Sequence, residues 1–347
     1  MAAALTPGVA PFGQTRAGQA VHRITISDGA LSAAILTLGV ALQDLRLCGT
    51  AHSLTVGGPL LGPYEDEMQF CGTIVGPVAN RIGGAKAMIG GQTYRFDNNL
   101  NGKHTLHGGS GATHNRVWTL AEHGPARAMF HLRLADGDGG FPGNRDLSAC
   151  YRITGQTLEL TLAAQTDATT LMNLANHSYW RLDDAPTFAG QTLQIAADTY
   201  LPSARDDLLP TGQIAPVAGS RFDFRQPRRL DAGREGLIDT NFCLSKSRQP
   251  LRPVARLTGR SGLTLEMATT EPGLQVFDGH ILEMPACPGN DGPPHRAYSG
   301  LALEAQFWPD ATNHPDFPPI VLCPDAPWIQ TTTWTFSQRQ AHVGRHS

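Results

Sequence analysis

Apolar side chains recur at every second position through several stretches of the chain, the spacing that gathers them on one face of a strand. Leu158, Leu160 and Leu162 alternate with polar residues, as do Leu263, Leu265 and Met267, and so do Phe130, Leu132 and Leu134 around His131 and Arg133. Further strands are predicted at 22–27, 116–120, 193–196, 274–277, 300–304 and 331–336. The stretch 31–47 is ambiguous, since its apolar residues fit a helical face nearly as well. A β-like run over 158–173 delivers Asn173-Leu174-Ala175-Asn176-His177-Ser178-Tyr179-Trp180, in which one histidine stands between two small polar residues with two aromatic rings behind it.

Turn signals separate these runs at 57–59, 83–84, 90–91, 136–140 and 289–292, each rich in glycine. The 38 Gly and 25 Pro exceed the roughly 24 and 17 that average usage would place in a chain of 347 residues. Many short strands at this spacing predict an all-β protein, a large antiparallel sandwich or barrel. No block repeats at a fixed period and no linker divides the chain, so one domain over 1–347 is expected, with 285–299 as a loop lying over a site.

The net charge of −3, with neither a basic run nor an acidic tail, argues against nucleic acid or an anionic membrane as partner. The six cysteines stand far apart without a C-x-x-C pair, which suits reduced thiols in a cytoplasmic protein. The first residues lack a positive side chain before Arg16 and contain two prolines, a poor signal peptide. No apolar run approaches the ~20 residues of a membrane span. A soluble cytoplasmic protein is expected.

Four polar clusters carry candidate chemistry beside His177. In Asn80-Arg81-Ile82-Gly83-Gly84 the guanidinium offers a planar fork of donors to an oxygen-rich ligand, or else binds backbone carbonyls. In Leu106-His107-Gly108-Gly109 the glycines let a ligand approach the backbone closely. A metal reading through His104-x-x-His107 lacks a carboxylate or cysteine at ligand spacing. Asp239, in Ile238-Asp239-Thr240-Asn241-Phe242, reads as a turn or capping residue unless it serves a site. Glu304 lies in an apolar run, where a carboxylate is costly unless paired or functional; its alternative is the solvent face of an edge strand. Gln275 has the same character. A serine-hydrolase elbow, a phosphate-binding P-loop and a dinucleotide GxGxxG are all absent.

Taken together and in order, ANRIGG at 79–84, LHGG at 106–109, GGFPGN at 139–144, NLANHSYW at 173–180, LPTGQIAPV at 209–217, FDF at 222–224, IDTNF at 238–242, LQVF at 274–277 and LEAQFWPDATNHPDF at 303–317 resemble the aldose 1-epimerase (galactose mutarotase) family. The resemblance runs from about residue 20 to 336. It implies a large β-sandwich of galactose-mutarotase type, no metal or organic cofactor, and a monosaccharide as the partner of a monomer or homodimer. It assigns Glu304 as general base, His177 as general acid and His107 as the second active-site histidine, with Asn80, Arg81, Asp239 and Gln275 as sugar contacts. Pro77 stands where many members carry arginine, and Cys323-Pro324-Asp325 replaces a frequent basic-Pro-Gly turn, which leaves the natural aldose open.

The chemistry implied is interconversion of the α and β anomers of a free aldose such as galactose or glucose. A base removes the proton of the C1 hydroxyl while an acid, on the other side of the C1–O5 bond, protonates the ring oxygen. Glu304 is therefore expected ionised and His177 protonated in the free enzyme. Two other readings are a hexose-6-phosphate 1-epimerase, which needs arginines gathered around a phosphate, and a non-catalytic sugar-binding module, which needs no matched acid and base.

Overall fold

The computed structural model describes residues 5–233 and 237–338, and its elements are β-strands joined by turns and five short 3₁₀ helices. The alternating leucines form the expected strands. Thr157–Thr166 lies in the interior of a nine-stranded antiparallel sheet, between Arg145–Thr154 and the central strand Trp328–Gln338. A six-stranded antiparallel sheet runs in the order Tyr179–Trp180, Leu301–Gln306, Gly273–Phe277, Asp239–Cys243, Thr199–Tyr200, Ala215–Pro216. A four-stranded sheet is built from Gly8–Gln14, Ala20–Ser27, Leu31–Leu36 and Leu42–Leu47.

The ambiguous 31–47 stretch is a strand pair, not a helix. Its residues are buried on both faces, which hides the alternation that would have identified strands. The chain reverses at Gly39, whose φ of +62° and closeness to the His114 carbonyl leave no room for a Cβ. The strand expected at 116–120 begins instead at Thr119. Trp118 is committed elsewhere, donating its backbone N–H to Thr37 O and its indole N–H to Thr113 O.

Each strand of the six-stranded sheet divides its residues between two environments. Leu301, Leu303, Ala305, Leu274, Val276 and Phe242 point into the main core, where they meet Leu158, Leu160, Leu162, Leu265, Met267 and Trp334 of the nine-stranded sheet. This is the packed layer of a β-sandwich. Two polar stitches cross it: Gln330 Nε2 donates to Ala305 O at 2.9 Å, and Asn176 Nδ2 donates to the Tyr151 hydroxyl at 3.1 Å.

The opposite face of the six-stranded sheet is also covered, by smaller apolar clusters around Tyr64, Met68 and Leu282, around Phe96, Phe141 and Trp308, and around Val75, Ala79 and Phe70. Polar residues on that face are therefore enclosed. The loop 285–299 packs at one side, with Asn290 bonded to Gln43, Asp291 to Arg46, Arg181 and Ser53, and His295 to Gly57 O. These polar contacts pin a neighbouring strand and turn and do not reach Glu304 or His177. Among the described residues no helix is long and apolar enough to cross a membrane.

Leu303, fully buried between the two sheets, anchors the strand that carries Glu304. Leu303→Ala should lower the unfolding free energy by about 2–5 kcal/mol in urea titration, and a loss below 1 kcal/mol would show that the layer relaxes around the cavity.

Candidate active site

Strand register assembles the candidate residues from distant parts of the chain. Asn241 lies opposite Gln275, and Gln275 opposite Glu304, so the three form a row across adjacent strands on the face away from the main core. Asp239 heads the neighbouring row with Phe277, Ala302 and Tyr179. Period-two geometry makes this unavoidable once Leu303, Leu274 and Phe242 take the core side. Glu304 is 2% exposed and sits on an interior strand, not on the solvent face of an edge. Asp239 likewise opens the strand Asp239–Cys243 instead of a turn.

His177 reaches Glu304 from a separate segment. Its backbone is held at both groups, N–H to Thr73 O at 2.9 Å and C=O from Gly72 N–H at 3.1 Å, while the neighbouring Asn176 amide bonds Gly72 O and Tyr151. His177 Nε2 lies 3.5 Å from Glu304 Oε1. Phe70 stacks on the imidazole at 5.9 Å between centroids, and Tyr179 and His107 pack at 5.0 and 5.5 Å.

The second histidine is oriented by backbone. His107 N–H donates to Asn80 O and Asn80 N–H donates to His107 Nδ1 at 3.1 Å, so Nδ1 is the acceptor and Nε2 carries the proton of the neutral ring. Both residues take positive φ, +51° and +63°, a conformation that costs energy outside glycine. Gly108 is required beside them: a Cβ there would fall 2.3 Å from Gly76 O.

Arg81 binds side chains, not backbone carbonyls. Its guanidinium meets Asn80 Oδ1 at 3.2 Å and Asp239 Oδ2 at 3.1 Å, and Gln275 Nε2 donates to the other Asp239 oxygen. Asn80, Arg81, Asp239 and Gln275 thus form one polar chain beside Glu304. His104 turns away, its Nε2 3.4 Å from Asp207 Oδ2, so the His104-x-x-His107 pair does not converge. Among the described residues no three His, Cys, Asp or Glu side chains gather at metal-binding spacing. All six cysteines are unpaired.

Sequence reasoning missed Phe70, His114 and Asn241 as parts of this site, whereas Tyr179 stood in the stretch singled out around His177. His114 packs against Phe70 at 4.9 Å, but its surroundings in the chain carry no repeated or periodic signal. Asn241 was within reach, since it stands two positions from Asp239 on the same strand face; its amide is buried, with no hydrogen-bond partner among the described residues.

Burial dominates the electrostatics. It holds the Glu304 carboxyl well above the usual carboxylate range; the Asp239 charge adds to this and Arg81 opposes it. Burial also lowers His177 and His114 to about 4 and pushes His107 well down. In the unliganded site burial thus works against both the expected carboxylate and the expected imidazolium. Desolvation penalises each charge separately, and the neutral pair holds the same single proton.

The aldose 1-epimerase family model matches residues 22–335. The chain is 34% identical over 331 residues to the galactose mutarotase of Mus musculus, covering 92% of this chain and 95% of the mouse protein. It is 30% identical to the aldose 1-epimerase of Escherichia coli strain K12, over 90% and 92% of the two chains. The solved GalM/aldose epimerase homologue from C. elegans superposes with a TM-score of 0.84 at 29% identity, covering 92% of this chain and 99% of that one. Galactose 1-epimerase from Lactobacillus acidophilus gives 0.82 at 25% identity, over 96% and 99%.

His114 titrates near 6.5 when unfolded and near 4 when folded. Between those values the unfolded chain binds a proton that the folded one refuses, so stability is full above about 6.5 and falls as pH drops. Glu304, shifted upward, acts in the opposite sense, so the quantity to read is a difference between variants. In urea titrations from pH 7 to 4, His114→Gln should flatten the decline by up to about 1.4 kcal/mol per pH unit; identical slopes would show that His114 titrates normally in the fold.

Proposed function

The chain belongs to the aldose 1-epimerase family, and on that premise we propose that it interconverts the α and β anomers of a free aldose, with Glu304 and His177 exchanging protons with the sugar. The observation that carries this reading is the 3.5 Å approach of His177 Nε2 to Glu304 Oε1 on an enclosed polar face. In the proposed opening step Glu304 takes the proton of the C1 hydroxyl and His177 delivers one to O5. The C1–O5 electrons leave with O5, and the O1–H electrons become the aldehyde π bond. Rotation about C1–C2 presents the other face of the aldehyde, and the same transfers run backwards to close the ring.

Both oxygens that exchange protons are attached to C1. A base and an acid side by side can therefore serve them together, without lying on opposite sides of the ring. Opening converts carboxylate and imidazolium into carboxyl and imidazole, which is the form that burial favours here. The site is thus biased toward the protonation state that accompanies the open-chain sugar. Arg81 works in the other direction, holding Glu304 closer to ionisation, and so keeps the closed-ring form accessible.

The remaining polar groups suit hydroxyl recognition. His107 Nε2–H is a fixed donor, and the Arg81–Asp239–Gln275 chain offers donors and acceptors at one edge. Galactose is the first aldose to test, because several relatives are named for it. A phosphorylated hexose is not favoured, since Arg81 is already engaged by Asn80 and Asp239. The unpaired cysteines support a cytoplasmic setting.

Polarimetry of freshly dissolved α-D-galactose tests the assignment. Glu304→Gln and His177→Asn should each cut the catalysed rate by about 10²–10⁴-fold with unfolding temperatures little changed; near-normal rates in both would refute it. The pair needs one exchangeable proton, so kcat/KM should hold from neutral pH down towards 4, where His177 and Glu304 become doubly protonated and the rate falls. An acid limb near 6.5 would mean that His177 titrates as an exposed imidazole.

A further inference from the structure

Beyond Glu304 the chain runs on through Gln306 and Trp308 and returns to the turn that presents Arg81. Asp310 is buried in a left-handed conformation with φ +56°. Its Oδ1 accepts the Gly83 N–H at 2.8 Å, and its own N–H donates to Arg81 O at 3.1 Å. Backbone and side chain of one residue thus hold both ends of the 81–83 turn. Asn313 closes the same knot, donating to Asp310 Oδ1 at 2.6 Å and to Gly83 O at 3.3 Å.

Glycine at 83 belongs to this arrangement, because a Cβ there would press on Asp310 Oδ2 at 3.0 Å. The far side of the turn is tied separately, with Gly84 N–H donating to His104 Nδ1 at 3.0 Å. From this base the Arg81 guanidinium reaches Asn80 and Asp239. A long side chain can be placed no better than the backbone it leaves. Asp310 touches neither Glu304 nor Asp239 in any recorded hydrogen bond, yet it lies six residues from Glu304 on the continuation of the same strand.

We propose that Asp310 is a positioning residue: its carboxylate latches the Arg81 turn to the end of the Glu304 strand, so that the guanidinium and the base meet one sugar in a fixed relation. This rests on the reading of Arg81 as a sugar contact. The carboxylate makes no proton transfer. Its Oδ1 accepts from the Gly83 N–H and the Asn313 amide, which an amide oxygen can also do, while its Oδ2 lies 3.5 Å from His314 Nε2.

The test is a double-mutant cycle on the full chain, reading KM and kcat for galactose mutarotation beside the unfolding temperature. Asp310→Ala should raise KM about ten-fold and change kcat by less than about two-fold, the pattern of lost binding geometry. Asp310→Asn should recover most of that KM, because its Oδ1 still accepts from Gly83. In an Arg81→Ala background Asp310→Ala should add no further rise in KM. An unchanged KM in Asp310→Ala, or an undiminished effect in the Arg81→Ala background, would overturn the latch while leaving the acid–base pair standing. An unchanged KM in Arg81→Ala itself would remove Arg81 as a sugar contact and the latch with it. Should Asp310→Ala not fold, the exposed Asn313→Ala gives the same readouts, with a KM rise of about two- to three-fold expected and no rise overturning the proposal.

Discussion

The Glu304 carboxyl and the His177 imidazole approach to 3.5 Å in buried surroundings, where each is expensive to charge alone. A carboxylate in the interior of a doubly covered sheet persists only if its protonation is governed by something nearby. Here that something is the neighbouring imidazole together with Arg81, which favours ionisation, and Asp239, which opposes it. The surroundings resist charging either group, so the proton of the pair is held where burial favours it.

The rest of the architecture serves to keep those groups fixed and covered. The six-stranded sheet separates its apolar residues to the main core and its polar residues to the opposite face, with no residue of the row Asn241–Gln275–Glu304 left at an edge. Small apolar clusters pack beside that face, one of them including Tyr179, Phe277 and Ala302 of the sheet itself. His177 comes from a segment with strands only two residues long, so its precision derives from backbone bonds to Gly72 and Thr73 and from Phe70 against its ring. Strain at Asn80 and His107 shows the same priority, since two non-glycine residues hold positive φ where their backbones bind each other.

Several strands of the nine-stranded sheet were legible from periodicity, because only one of their faces is buried and Leu158, Leu160 and Leu162 alternate with polar neighbours, whereas Arg145–Thr154 and Arg252–Thr258 of the same sheet were not found. Where both faces are buried, as in Leu31–Leu36 and Leu42–Leu47, alternation disappears and the sequence alone left a helix open. Glu304 stood out for a related reason: a charge in an otherwise apolar run announces that its environment compensates for it. Asp239 did not, since an aspartate beside Thr and Asn looks like a turn until the register places it beside Arg81. Phe70 and His114 were invisible, because their role comes from packing across the fold and leaves no mark in spacing. The direction in which burial pushes the pair could not be read either, since burial is a property of the folded surroundings and not of the motif.

The hydrogen bond from Asn176 to the Tyr151 hydroxyl spans the sandwich from the face of the nine-stranded sheet to the residue before His177. Together with Gln330, which grips the strand of Glu304 through Ala305 O, it ties the segments of His177 and Glu304 alike to the distant layer. The separation between the two layers is thereby a variable of the chemistry. Substitutions that swell or thin the interior, made far from any sugar, would alter turnover as well as resistance to unfolding.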